Sequence, residues 1–433
     1  MSITTSARPH APVGKQAAPV DPLQTLYRGL QFIAGLRLTV ILFVLSFLLV
    51  FFGTLAQIDN GIWTVVRDYF RSFVVFIPLN IFNQFGQIFF GLPKLNADGT
   101  PFRIGGSFPF PGGWTLATLL MVNLLAAHLV RFKLSVNRLG ILILHAGLIV
   151  MLVGEVITGL YAIEGNMVIE EGQTSNTIIE NRVGELAIVD PSDPKTDTVV
   201  TVPRWMLQRA NQTISDKQLP FDIVPLQYMA NAKIEPANPK TNRATAGAGT
   251  VHEAIDVGEV SGVAEKQTVD TPAVYVKLLD KKTGESMGVY LFALLLKDQE
   301  ITVKDSEGKE KTYDVSLRFK QTQRPFSLTL KDFTFDRYPG TETPLNFASL
   351  VHLRDPETND DREVLIRMNE PLRHRGETFY QADWNKDTEK GTVLQVVRNP
   401  AWQLPYWSCG IVTLGLLYHF FFSLAEFLKR RVL

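Results

Sequence analysis

Three histidines stand inside long apolar runs of this 433-residue chain, and imidazole is the side chain with the most chemistry to offer there. His145 lies in Leu139 to Leu160, LGILILHAGLIVMLVGEVITGL, whose other polar side chains are Glu155 and Thr158. His128 lies near the end of the run 114–131, and His419 within 405–428. An ionisable group at such depth is expensive, so by default it marks a functional position. A neutral imidazole can ligate a transition metal or a haem iron. At roughly 1.5 Å per residue, His128, His145 and His419 lie about 5, 9 and 14 Å from the basic ends of their runs. Three imidazoles at similar depth on neighbouring helices could therefore share a metal or haem iron. On position alone His145 is the best ligand candidate. His128, near the interface, reads better as a helix–helix hydrogen-bonding residue, and His419 stands between the two. Glu155 reads as an interfacial carboxylate rather than a proton relay.

The elements that must position these residues are apolar helices. Runs of 18–24 residues can cross a hydrocarbon core of about 30 Å. Four are expected: 38–57, an uncleaved anchor, then 114–131, 139–160 and 405–428. The first 30 or so residues carry no apolar run of a cleavable signal; 1–30 read as a disordered tail leading into an amphipathic approach, and 1–37 together as the cytoplasmic tail and approach. On the positive-inside rule, Arg28 and Arg37, the basic loop 132–138 with its flanking Arg131, and the tail 429–433 share the cytoplasmic side. Four spans satisfy that pattern. A fifth at 72–92 would break it, and Pro78, Asn80, Asn83, Gln84 and Gln87 interrupt this segment. It reads as interfacial or re-entrant within an extracytoplasmic loop, 58–113. On the fourth span, Ser408, Gly415, His419 and Glu426 share one narrow face suited to packing on protein. Cys409 reads as a small buried apolar residue.

Residues 161–404 contain no run able to span. Alternating stretches such as TPAVYVKLLD, KTYDVSLRFK and NFASLVHLRD are separated by turn signals such as DKKTGES and DPETNDD. This pattern predicts an extracytoplasmic antiparallel sandwich or barrel-like β domain. The fold class expected is thus a membrane α + β protein, with four transmembrane helices and a large β domain between the third and fourth. Residues 231–271, small and polar, read as a long surface insertion.

Composition narrows the function. A formal net charge of zero leaves no basic excess for a nucleic-acid partner. One cysteine allows neither an internal disulfide nor a Cys-x-x-Cys pair. The β region lacks a Gly-x-Ser-x-Gly, a phosphate-cradling loop and a His-Glu-x-x-His motif, so no catalytic residues are assigned. His352 and His374 there read as structural or solvated. Residues 368–384, MNEPLRHRGETFYQADW, read as strand, turn and strand. The aromatic residues of that segment could serve the core or meet an extended peptide.

Five segments in order carry a resemblance over nearly the whole chain. They are GTLAQ (53–57), HAGLIVMLVGE (145–155), EGNMVIEEGQ (164–173), NEPLRHRGETFYQ (369–381) and VVRNPAWQLPYWSCGIVTLGLL (396–417). The arrangement resembles the ResB family, the CcsB-type subunit of System II cytochrome c biogenesis. The resemblance implies a bacterial cytoplasmic (inner) membrane protein working with a CcsA-type (ResC) partner that carries a tryptophan-rich haem-binding segment. Together such proteins bring haem b across the membrane and attach it to apocytochrome c. This chain would be a non-catalytic or co-catalytic subunit of that haem lyase, since its six tryptophans are scattered. His145 best matches the family's transmembrane haem ligand, with one axial imidazole supplied by the partner. The loop 58–112 and the insertion 231–271 fall outside what the family pattern explains. The competing expectation is a membrane-anchored scaffold or receptor whose β domain binds a partner protein without a cofactor.

Overall fold

A computed structural model describes residues 22–432 apart from 94, 97, 98, 100, 101, 132–134, 195, 262–268, 305–307, 342, 343 and 387. The tail before residue 22 lies outside the described residues. The approach to the first span is helical from Pro22 to Ile33 (α1), where apolar residues recur at 23, 26, 27, 30 and 33. It ends one residue short of Gly35, and Leu36–Ala56 (α2) starts directly after. Asn123, buried on a later helix, holds this break together. Its amide donates to the Ile33 carbonyl (2.5 Å) and accepts from Thr39 Oγ1 (2.8 Å). One side chain thus satisfies a carbonyl left unbonded at the end of α1.

The segment after α2 is compact. Ile62–Val65 (α3) runs into a π turn, Val66–Phe70; Val74–Pro78 (β1) pairs antiparallel with Ser107–Pro111 (β2), and Asn80–Phe89 (α4) lies between them. None of these is long enough to span, in keeping with the rejection of a fifth crossing. Gly113–Val130 (α5), Leu139–Tyr161 (α6) and the terminal Leu404–Val432 (α8) complete four helices long and apolar enough to cross a membrane.

The β domain sits between α6 and α8. Its strands are Ile163–Glu170 (β3), Thr174–Asp190 (β4), Thr198–Pro203 (β5), then after the turn Arg204–Leu207 (α7), Phe221–Met229 (β6), Ala232–Pro236 (β7) and His252–Asp256 (β8). Ala273–Asp280 (β9), Ser286–Ala293 (β10), Gln299–Lys304 (β11) and the 28-residue Glu310–Arg337 (β12) follow. Pro344–Asp355 (β13), Asp360–Arg367 (β14), Leu372–His374 (β15), Glu377–Trp384 (β16) and Gly391–Arg398 (β17) end the domain. The largest sheet runs β14-β13-β12-β4-β3-β17-β16-β15, with β11 beside β12 and β5 beside β4. All ladder pairings are antiparallel among the described strands.

Because β12 is so long, it serves two cores. Its first half joins β4, β5 and β11 in covering the small sheet β10-β9-β6, sandwich fashion, around Leu186, Phe221, Val276 and Phe292. Its second half curls with β3 and β13 to β17 around Met167, Leu328, Val351, Phe379 and Leu394. A sandwich-like core and a curled, open sheet thus lie one at each end of a shared strand. Phe379 is a core residue, while Tyr380, one position on, faces out, as strand alternation requires.

The curl is fastened by Asp355, the last residue of β13, whose carboxylate has no exposure. It accepts hydrogen bonds from His374 Nε2 (2.7 Å), Arg375 Nε (2.5 Å) and Nη2 (2.9 Å), and the backbone N–H groups of Glu357 and Thr358. His374 and Arg375 come from the turn between β15 and β16, where Arg375 and Gly376 both have positive φ. His374 is therefore structural. Burial alone would raise the Asp355 pKa, but these donors, Arg375 foremost, hold it well below the usual carboxylate range. A depressed native pKa contributes stability that is complete above the unfolded value near 4 and lost as pH falls below it. We expect the melting temperature of the wild-type chain to hold from pH 7 to 5 and fall below about pH 4. Asp355→Asn should melt roughly 5 °C lower at pH 7 and lose much of that acid sensitivity, as read by tryptophan fluorescence.

The insertion 231–271 is more ordered than its composition suggests; 262–268 lie outside the described residues. β7 and β8 form a hairpin whose Ala232, Ile234 and Ala254 pack on β9 and β10. Small side chains here permit close packing, which polarity scales do not register. The segment that follows docks near the end of α2. Ser261 Oγ donates to the Gln57 carbonyl (3.0 Å), and Glu259 accepts from the Gly61 N–H (3.3 Å). Nearby the Arg182 guanidinium lies 3.3 Å over the Trp63 ring.

Candidate functional site

The histidine site is built on α6. Gly140, Gly147 and Gly154 recur every seven residues, close to two helical turns, so they line one face. α8 lies against that face at backbone contact. A Cβ at Gly140 would stand 2.7 Å from the His419 backbone nitrogen and 2.8 Å from the Gly415 carbonyl oxygen. At Gly147 it would stand 2.6 Å from Val412 Cγ2, and at Gly415 2.6 Å from the Leu144 nitrogen. Such close approach requires small residues. Buried Ser408 Oγ donates to the Gly147 carbonyl (2.8 Å). Glu426 accepts from Asn137 (3.2 Å) at the other end. The face of Ser408, Gly415, His419 and Glu426 is thus a packing face. Cys409, about 100° further round, is exposed rather than buried, because Ser408 takes the inward position. Ser408→Ala should lower stability by only about 0.6 kcal/mol, a typical intramembrane hydrogen bond, in a detergent unfolding titration.

His145 is five residues beyond Gly140, which turns it about 140° away from α8. There it meets α5. The ring centres of His145 and His128 are 4.9 Å apart with their planes tilted by 48°. Both residues are partly buried, and His145 Nδ1 is enclosed with no hydrogen-bond partner. A buried polar atom left unpaired is rare enough to require an explanation, and a ligand is one. His419 is not part of this pair. It sits at the level of Gly140 on α8 and is exposed. Among the described residues no three His, Cys, Asp or Glu side chains converge to hold a metal ion. Equal depth did not bring the three imidazoles together, because depth along an axis says nothing of direction around it. Glu155 is exposed, 3.6 Å from Arg71.

The α6/α8 pair continues directly into the β domain. Thr158 Oγ1 donates to Asn399 Oδ1 (3.3 Å), and β3 then pairs with β17 from Ile163 opposite Arg398 to Glu170 opposite Gly391. Helix pair and strand pair form one two-element stalk. Sequence reasoning missed its basis, although the seven-residue glycine spacing was there to be read. Asn123 was also missed; a lone amide in an apolar run was its signal.

The ResB-like family profile matches residues 125–241 and 287–393, which include His128, the α6 and β3 members of the stalk and the Asp355 fastening. The chain belongs to the ResB-like family. Among curated proteins, this ResB-like chain is 36% identical over 106 residues to Protein NrfI of Wolinella succinogenes, 24% of this chain and 12% of that one. It is 42% identical over 79 residues to the cytochrome c biogenesis protein CcsB of Synechococcus sp. (strain CC9605), 18% of this chain and 17% of the other. A second CcsB, from Synechococcus sp. (strain CC9902), is 38% identical over 94 residues, 22% of this chain and 20% of the other. The matched stretches span between about an eighth and a fifth of these relatives. Four apolar helices fit a multi-pass membrane protein.

Proposed function

We propose that this chain is a subunit of a membrane cytochrome c synthase complex. It helps deliver haem b across the membrane and attach it to apocytochrome c, acting with a CcsA/ResC-type partner. The observation that carries this is His145: an imidazole inside an apolar helix, its Nδ1 buried without a partner, facing a second imidazole. Names of relatives that include cytochrome c biogenesis support the same reading.

Haem is cargo here. Two imidazoles on opposite sides of one iron, with metal–nitrogen bonds of about 2 Å, hold their ring centres about 6 Å apart. His128 and His145, at 4.9 Å, are too close to be such a pair as they stand. His145 is the axial ligand from this chain, the opposite ligand comes from the partner, and His128 orients His145 and fills the site beside it. His419, exposed on α8, is not required for the first ligation step. The pair lies in the cytoplasmic half of the bilayer, where haem enters. The stalk leads from it to the β domain on the extracytoplasmic side of the bacterial cytoplasmic membrane, where apocytochrome c is received.

The test is the absorption spectrum of the chain co-purified with its CcsA-type partner, wild type against His145→Ala. Sharp low-spin bands in the wild type, lost in the variant and regained with imidazole, are expected. Haem-free wild-type complex, or an unchanged variant, would overturn the assignment of His145. If His128→Ala and His419→Ala were also unchanged, a cofactor-free scaffold would be the better reading.

A further inference from the structure

The segment 72–93 has no assigned role, and it is built inside out. It carries no Asp, Glu, Lys or Arg. On α4 the buried positions include Asn83 and Gln84, whose amides donate to the Phe102 carbonyl (2.7 Å) and to Asp59. The exposed positions are aromatic or aliphatic: Ile88, Phe89 and, just past the helix, Phe90 at 74% exposure. β1 does the same in strand form, turning Val75 and Ile77 inward and Phe76 outward at 65% exposure. A helix that buries its amides and exposes its phenylalanines is the inverse of one facing water.

Its level along the helices is fixed by contacts. Phe85 packs edge-on against Phe51 (5.5 Å between ring centres) and Phe82 against Phe52 (6.0 Å). Those two α2 residues lie four and five positions before its end, about 6–8 Å inside the apolar helix. Phe73 is tied to the first turn of α5: its carbonyl accepts from Gly112 N–H (2.9 Å) and Thr115 Oγ1 (2.6 Å). Along the chain, the charged residue that immediately precedes the segment is Arg71, beside Glu155 near the end of α6.

We propose that β1 and α4 form an in-plane foot, with the outward face of Phe76, Ile88, Phe89 and Phe90 seated in the lipid leaflet at that end of α2. The occupant is lipid at the boundary between headgroups and acyl chains. The apolar face is continuous with the flank of a spanning helix, and an uncharged, aromatic surface suits that depth. The proposal rests on the four helices crossing a membrane and is independent of haem.

The experiment places spin labels on the full chain in phosphatidylethanolamine/phosphatidylglycerol nanodiscs. In a Cys409→Ser background, Phe76→Cys and Phe90→Cys are labelled separately, with Lys331→Cys on the exposed side of β12 as the aqueous reference. Oxygen should relax the labels at 76 and 90 several-fold more than a water-soluble nickel chelate does, and the order should reverse at 331. Nickel access at 76 and 90 equal to that at 331 would overturn the proposal in favour of a water-facing surface. Exclusion of both reagents would overturn it in favour of a protein cover. Two independent label positions keep the test decisive should one variant fail to fold.

Discussion

His145→Ala is expected to lower the haem content of the co-purified complex at least tenfold, and millimolar imidazole is expected to restore the low-spin spectrum. On the proposed reading, deleting the ring removes one axial ligand, and His128, 4.9 Å away between ring centres, stands beside that ligand position rather than at it. His419 is exposed on α8, and Cys409 is exposed on that helix as well. The cavity left by an imidazole admits free imidazole, so rescue distinguishes lost ligation from lost fold. His128→Ala should behave differently. Its ring lies against His145 rather than opposite it, 4.9 Å away, so the iron should remain low-spin while haem is held more weakly. Equal loss in both variants without imidazole rescue would indicate that the pair only packs α5 on α6. Pyridine haemochrome quantitation alongside the visible spectrum reads both outcomes.

The second large effect is expected at Gly140. Leucine there would drive its first side-chain carbon to 2.7 Å from a backbone nitrogen and 2.8 Å from a backbone oxygen of α8. Neither atom can rotate away, so the helices must separate. Overpacking typically costs 1–3 kcal/mol, and two rigid backbone contacts place this case at or above the upper end, about 3 kcal/mol. Separation would also break the nearby Ser408–Gly147 hydrogen bond and loosen the stalk beneath the β domain. Gly410→Leu is the matched control on the same helix pair, since a Cβ there meets nothing within 4 Å. Thermal unfolding in detergent should show Gly140→Leu melting well below wild type and Gly410→Leu close to it. Similar melting of the two variants would remove the glycine face from the account of α6 and α8.

These two expectations differ in how far they could be read from the chain. His145 was conspicuous because a polar residue in a long apolar run is costly wherever the helix points. The same logic located the four helices, and period-two alternation located the antiparallel domain, since both signals are local along the sequence. The packing face of α8 was also local: Ser408, Gly415, His419 and Glu426 follow helical spacing, although the His419 side chain is exposed at the edge of that face.

What only the tertiary structure decided depends on direction and on distant partners. Three histidines of similar depth became a pair and an exposed outlier because Gly140, Gly147 and Gly154 turn one side of α6 to α8 and so aim His145 at α5. Cys409 faces outward because its neighbour Ser408 takes the inward position. Asp355 ends β13 while His374 and Arg375 sit at a separate turn, and only the curl of the sheet makes them one network. The insertion 231–271 packs because alanines fit where larger residues would not. The segment 72–93 buries amides because Asp59 and the Phe102 carbonyl are there to receive them. Sequence determined which segments are apolar and which alternate; the rotation of each helix and the partner of each buried polar group followed from packing, which no local pattern encodes.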